Sequence, residues 1–192
     1  MVSGPFPGGA GGRRLVHHPA PPGKNSMQGW VRLKGPLRPT LNLIVLYLCR
    51  FLPWLELKNR LYRLLGMRVG RGVSVGLGAM FDIFYPELIS IGDNTVVGYN
   101  CTILAHEFLV EGWRTGPVEI GRNVLLGSGC VVLPGVSVGD GAQVSALSLV
   151  NRDVPPGVLA GGVPVRVIAA RGGDGAAESG GGSPAGPPGT AP

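Results

Sequence analysis

Apolar residues recur along this chain every sixth position. From Ile120 the step lands on Leu126, Val132, Val138, Val144 and Val150. An earlier register runs Val69, Val75, Phe81, then Ile91, Val97 and Ile103 after a four-residue slip at FYPE (84–87). Glycine often follows the apolar residue, as at 70, 76, 92, 98, 121, 127 and 139. The fifth position of each unit holds something small or β-branched, among them Thr95, Cys101, Cys130 and Ser148. A period of six matches neither the 3.6 of a helix nor the alternation of an exposed strand. It does match a very short strand followed by a tight turn. The stretches IGDN (91–94), IGRN (120–123) and VGDG (138–141) supply residues that tolerate φ > 0 at the corners. Stacked units of this kind bury the apolar and small positions in a slim prism. The expected fold class over residues 67–170 is therefore all-β, a stack of short strands.

Residues 39–66 read differently, as helix broken near Pro53. The apolar run Leu41 to Cys49 is too short to span a bilayer. After Pro53, Leu55, Leu57, Leu61, Leu64 and Leu65 fall near one face, with Lys58, Arg60 and Arg63 mostly on others. Two roles stay open for this segment: a cap on the first coil that also makes subunit contacts, or a peripheral membrane contact helped by Trp54 and the arginines.

Composition changes the picture at the ends. The 192 residues include 34 Gly and 18 Pro, concentrated enough at 1–38 and 171–192 that both tails are expected to be disordered. The net charge of +6 comes from Arg13, Arg14, Lys24, Arg32, Lys34 and Arg38, with no acid before residue 39. The rest of the chain is balanced, which argues against a nucleic-acid partner; the basic arm suits solvent or an anionic membrane surface. No apolar stretch follows Arg13-Arg14, so neither a secretory nor a twin-arginine signal is expected, and Met27 offers an alternative start. Cys49, Cys101 and Cys130 have no metal-like spacing and fit a reducing compartment. The expected place is the cytoplasm, with the inner face of the membrane as its possible edge.

The period breaks once more. Ile103 fits it, Leu109 is next on step, and the clean pattern resumes only at Ile120. Residues 105–119, AHEFLVEGWRTGPVE, read as a loop thrown out from a rigid coil, where chemistry concentrates. That loop carries His106, the sole histidine beyond His18. An imidazole with an ordinary pKa near 6.5 is largely neutral at pH 7 and can take a proton from an attacking group.

With these motifs the chain resembles the hexapeptide-repeat acyltransferases. The closing stretch VNRDVPPGVLAGGVPVRVI (150–168) looks like that family's last coil. Residues 105–168 are similar to maltose and galactoside O-acetyltransferases, and FD…PELI…IGDN…ILAHEF (81–108) to related bacterial acyltransferases. The resemblance implies a left-handed parallel β-helix, a homotrimer, and an acyl-CoA co-substrate, acetyl-CoA foremost. It implies His106 as general base for direct attack on the thioester by a sugar or other small hydroxylated acceptor. Asp82 matches an acceptor-side position; Glu107 and Glu119 are candidates to orient His106, and Trp113 to cover the cleft or anchor the loop. Ser128 and Ala146 match positions along the pantetheine arm, Asn151 and Arg152 a coenzyme-binding pair that is often Thr-Lys, and Arg166 a phosphate-side arginine. Leu125 stands where many relatives carry tryptophan, a departure from the sugar-binding pattern. Gamma-class carbonic anhydrases share the fold but need three histidines around a metal; with one histidine in the repeat, no metal is expected. An N-acetyltransferase of an amino sugar or antibiotic, and a non-catalytic β-helix scaffold, are the alternatives.

Overall fold

The computed structural model describes residues 12–170. Three sheets form the walls of a prism. The first wall is β2 (Arg68–Val69), β5 (Ile89–Ile91), β10 (Val118–Ile120) and β13 (Ser137–Val138), all parallel. The second is β3 (Ser74–Val75), β6 (Val96–Val97), β11 (Leu125–Leu126), β14 (Gln143–Val144) and β16 (Val158–Gly161), finished by an antiparallel strand, β17 (Arg166–Ala170). The third is β4 (Met80–Phe81), β7 (Thr102–Ile103), β12 (Val131–Val132) and β15 (Leu149–Val150).

The twelve on-period apolar residues point inward, none more than 8% exposed. The fifth positions fill the space between them. Where these are polar they bond to the backbone of the coil: the Thr95 hydroxyl donates to the Gly121 carbonyl at 2.7 Å, and the Ser148 hydroxyl to that of Ser145 at 2.6 Å. The thiols of Cys101 and Cys130 donate to the Gly127 and Ser145 carbonyls at 3.1 Å, which makes both core residues. Coils stack so closely that Gly98 has no room for a side chain. A Cβ there would lie 2.7 Å from the Ser128 nitrogen and 2.8 Å from the Leu126 carbonyl oxygen. Gly98→Ala must push two coils apart and is expected to cost about 1–3 kcal/mol in chemical denaturation.

Register explains where the prism opens. In the regular part Val132 lies against Val150, a whole number of repeats further along the chain. Phe81 lies against Ile103, and Ile103 against Val132, and both pairs are farther apart in sequence than one regular coil requires. Both extra segments leave from the third wall in adjacent coils. The FYPE slip and the 105–119 excursion therefore emerge side by side.

The first coil has no coil before it to accept its strands, so its carbonyls need other donors. Helices α2 (Leu37–Cys49) and α3 (Leu55–Leu64), parted at Pro53, provide them. Lys58 Nζ donates to the Val75 and Gly76 carbonyls at 2.7 and 3.2 Å, and Asn59 Nδ2 to that of Val73 at 2.8 Å. Arg63 reaches the Val69 and Gly70 carbonyls at 2.8 and 2.7 Å. The leucines that the sequence put near one face of α3 are divided between two. Its polar side faces the prism with Tyr62 and Leu65, while Leu57 and Leu64 face outward at 43% and 82% exposure. Burial pushes the Lys58 amine down, and Cys49 partly opposes that shift.

The basic arm is a second correction. Residues 12–38, expected to be disordered, are folded onto the loop; residues 1–11 and the 171–192 tail lie outside the described residues. The loop is a hairpin of β8 (His106–Phe108) and β9 (Gly112–Thr115), and β1 (Val16–Pro19) adds to its open edge, antiparallel to β9. Helix α1 (Trp30–Lys34) follows. The arm gains structure because the hairpin edge offers unpaired backbone groups and the loop offers carboxylates. Arg13 pairs with Glu107 at 2.6 Å and Arg14 with Glu119 at 3.0 Å. Composition alone cannot show a partner supplied from the far half of the chain.

Candidate active site

Asp82 and His106 leave the third wall in neighbouring coils, and this brings them together. The Asp82 side chain is fully enclosed, and its two oxygens accept five hydrogen bonds. Oδ1 takes the backbone N–H groups of Phe84 and Tyr85 at 2.8 and 2.9 Å. Oδ2 takes those of Ala105 and His106 at 2.8 and 2.9 Å, and lies 2.5 Å from His106 Nδ1. Burial pushes this carboxyl up, but the His106 hydrogen bond and charge and the backbone donors outweigh it and hold it below the usual carboxylate range. An ionised Asp82 takes the Nδ1 proton as its hydrogen bond, which leaves the lone pair on Nε2. Among the described residues Nε2 has no hydrogen-bond partner and is not sealed from solvent.

The imidazole sits outside the prism, 11% exposed, with aromatic rings around it. Phe84 and Phe108 meet it edge-on at centroid distances of 4.9 and 4.8 Å, and Tyr85 lies at 6.0 Å. Phe84 also lines an apolar groove of about 230 Å³ with Met27, Trp30, Leu43 and Ile83. Such walls fix the ring and lower the local dielectric, so the Asp82 contact is stronger than it would be in water.

Neither glutamate considered as an orienting group does that work. Successive residues of β8 point to opposite faces, so Glu107 turns away from the His106 side and meets Arg13 and Arg114, the latter at 2.8 Å. Glu119 is held by Arg14 and lies 3.3 Å from the Ser137 hydroxyl. Trp113 is clamped between His18, stacked at 3.8 Å, and Tyr85 at 5.8 Å, with Lys34 over the Tyr85 ring. It anchors the hairpin to the arm. The aromatic residues around His106 went unread in the sequence. Their one signal was the slip at FYPE, which marks chain leaving the coil next to the loop.

A repeat model described as hexapeptide repeat of succinyl-transferase matches residues 88–104 and 117–146, either side of the hairpin. "Putative acetyltransferase YvoF" of Bacillus subtilis is 46% identical over 157 residues, spanning 81% of this chain and 91% of its own. The chain belongs to the hexapeptide-repeat acetyltransferases. Galactoside O-acetyltransferase of Escherichia coli is 41% identical over 87 residues, covering 42% of this chain and 43% of that protein. Two solved structures share the fold. One is the hexapeptide-repeat acetyltransferase VCA0836 of Vibrio cholerae complexed with acetyl coenzyme A: TM-score 0.59, 21% identity, 69% of this chain and 86% of that one. The other is galactoside acetyltransferase in complex with coenzyme A: TM-score 0.55, 24% identity, 75% and 90%. The prism is thus a left-handed β-helix.

In this acetyltransferase the remaining candidates fall into two groups. Ser128 and Ala146 are exposed and occupy equivalent places in successive coils, where the second wall turns into the third. A Cβ on Gly127 would lie 2.4 Å from the Ala146 nitrogen, so the coils are in close contact there. Arg152 and Arg166 line one recess of about 220 Å³ at the closing coil with Asp153 and Val165. Among the described residues neither arginine forms an ion pair. Among the described residues the buried Oδ1 of Asn151 has no hydrogen-bond partner.

Proposed function

We propose that this acetyltransferase moves an acetyl group from acetyl-CoA to a hydroxyl of a sugar or similar small acceptor, with His106 as general base. The observation that carries the reading is the enclosed Asp82 carboxylate on His106 Nδ1, which leaves Nε2 as a base at the rim of the hairpin. The acceptor oxygen attacks the thioester carbonyl as its proton passes to Nε2. The tetrahedral adduct then expels the thiolate, which the imidazolium reprotonates. The C–O bond forms, the C–S bond breaks, and the base ends as it began. Asp82 holds the ring and stabilises its transient charge; it is a positioning residue. Hydroxyl transfer is favoured because a relative 41% identical over its matched part is a galactoside O-acetyltransferase.

Coenzyme A fits the second group of residues. Two guanidinium groups that line one recess, neither in an ion pair among the described residues, suit its phosphates. Ser128 and Ala146 would flank the pantetheine arm. His106 springs from the corner between the third and first walls, whereas Ser128 and Ala146 lie between the second and third. A homotrimer would set one protomer's hairpin against another's groove and complete three sites.

The test is release of free thiol from acetyl-CoA in the presence of sugars, other hydroxylated compounds and amines. Turnover with a hydroxylated acceptor is the expected result. Turnover with amines alone would replace O-transfer by N-transfer, and a protein that binds acetyl-CoA yet transfers to nothing in the panel would favour a scaffold.

A further inference from the structure

Helix α2 is apolar on both sides, and α3 turns its polar side to the prism. Toward the interior α2 presents Leu46, Cys49 and Asn42, whose amide donates to the Ile83 carbonyl, while Lys58, Asn59 and Arg63 of α3 donate to carbonyls of the first coil. Toward solvent α2 and the turn after it present Leu37, Leu41, Ile44, Tyr47, Leu48 and Phe51, between 51% and 85% exposed. Those positions recur at three- and four-residue steps and share one side of the helix. The polar member of that side, Thr40, turns its hydroxyl back to the Pro36 carbonyl at 2.7 Å. Scattered exposed leucines are ordinary; a continuous apolar helix face is not, and something covers it.

Charge says what. The exposed charges that adjoin the stripe are cationic: Arg38 on one flank of α2, and Arg60 on the outer face of α3 between Leu57 and Leu64. From residue 30 to 68 the acid is Glu56 alone, and it is paired with Arg63. A second copy packing through the same face would set arginine against arginine with no carboxylate to separate them. Trp54, 64% exposed, stands at the corner between the helices, a residue at home where lipid meets water. Among the described residues no helix is long and apolar enough to cross a membrane. The thirteen-residue α2, about 20 Å long, can lie flat in one leaflet.

We propose that the outer face of α2 and the α2–α3 corner dock onto an anionic lipid bilayer, apolar side chains entering the interface and Arg38 and Arg60 meeting phosphate headgroups. Docking is independent of the acceptor and of His106. The experiment is flotation of the full chain with neutral phosphatidylcholine vesicles and with vesicles containing about one-third phosphatidylglycerol, at low and high salt. The expected result is co-flotation with the anionic vesicles, at least tenfold weaker with neutral ones and weakened by salt. Leu41→Glu with Leu48→Glu should cut binding at least tenfold while the melting temperature and the mass by light scattering stay unchanged. Wild-type protein that stays at the bottom of the gradient with anionic vesicles overturns the proposal. So does a double variant that floats normally but loses self-association, since the face would then cover a second copy.

Discussion

His106→Ala is expected to slow acetyl-CoA turnover by about 10²–10⁴-fold, the usual contribution of a positioned general base. The loss should fall on kcat, with KM for acetyl-CoA little changed, because the imidazole acts on the acceptor proton rather than on the thioester carrier. Stability should change far less. The ring sits outside the prism, and its removal leaves Asp82 with four of its five donors. A cost of about 1–2 kcal/mol covers the lost edge contacts with Phe84 and Phe108 and one hydrogen bond. Steady-state kinetics beside a melting curve checks both parts. Equal turnover by wild type and variant would remove the histidine from the mechanism.

Asp82 is the larger lever on stability. Asp82→Ala strands backbone N–H groups of Phe84, Tyr85, Ala105 and His106 in an enclosed space, which is expected to cost on the order of 3 kcal/mol and to release the hairpin. Asp82→Asn is the sharper test of catalysis because it keeps the shape. The amide has one acceptor oxygen in place of two: either its NH₂ meets Nδ1 and forces the ring proton onto Nε2, or its oxygen does and the charge that stabilises the imidazolium is lost. A fall in kcat of about 10²-fold or more is the expected outcome. The carboxyl is held below its ordinary value in the folded protein, so ionised Asp82 stabilises the fold at all pH above its unfolded value of 3.8. That contribution fades as pH drops through the lower folded value. Melting temperatures of wild type and Asp82→Asn measured from pH 7 to pH 2 should therefore converge in acid. Parallel curves would show that the carboxylate is not ionised against His106.

How much was legible beforehand varies with the range of the interaction. The period of six reported a local event, one short strand and one corner, repeated until it became a core; each residue's slot follows from its neighbours. The same arithmetic marked where coils break, at FYPE and at 105–119, and so located His106 on an excursion. Asp82 was visible as a residue of interest, but not as the partner of His106. That depends on register, which places Phe81 beside Ile103 in the next coil. The arm was misread because Gly, Pro and Arg describe a chain that cannot fold by itself, whereas this one is held by the edge of β9 and by Glu107 and Glu119. The leucines of α3, read as one face, are divided for a related reason. A hydrophobic stripe normally faces the core, but the open end of a β-helix needs hydrogen-bond donors first.

From its order of residues alone this protein was determined to be a stack of six-residue turns with one histidine-bearing departure. Periodicity sets that outcome, since every unit meets the same steric demand from the unit above and below. Only the tertiary structure decided which carboxylate grips the imidazole, which side of the capping helices turns outward, and that the basic arm closes over the hairpin. Those outcomes rest on groups far apart in the chain satisfying one another's hydrogen bonds and charges, a match no local pattern encodes.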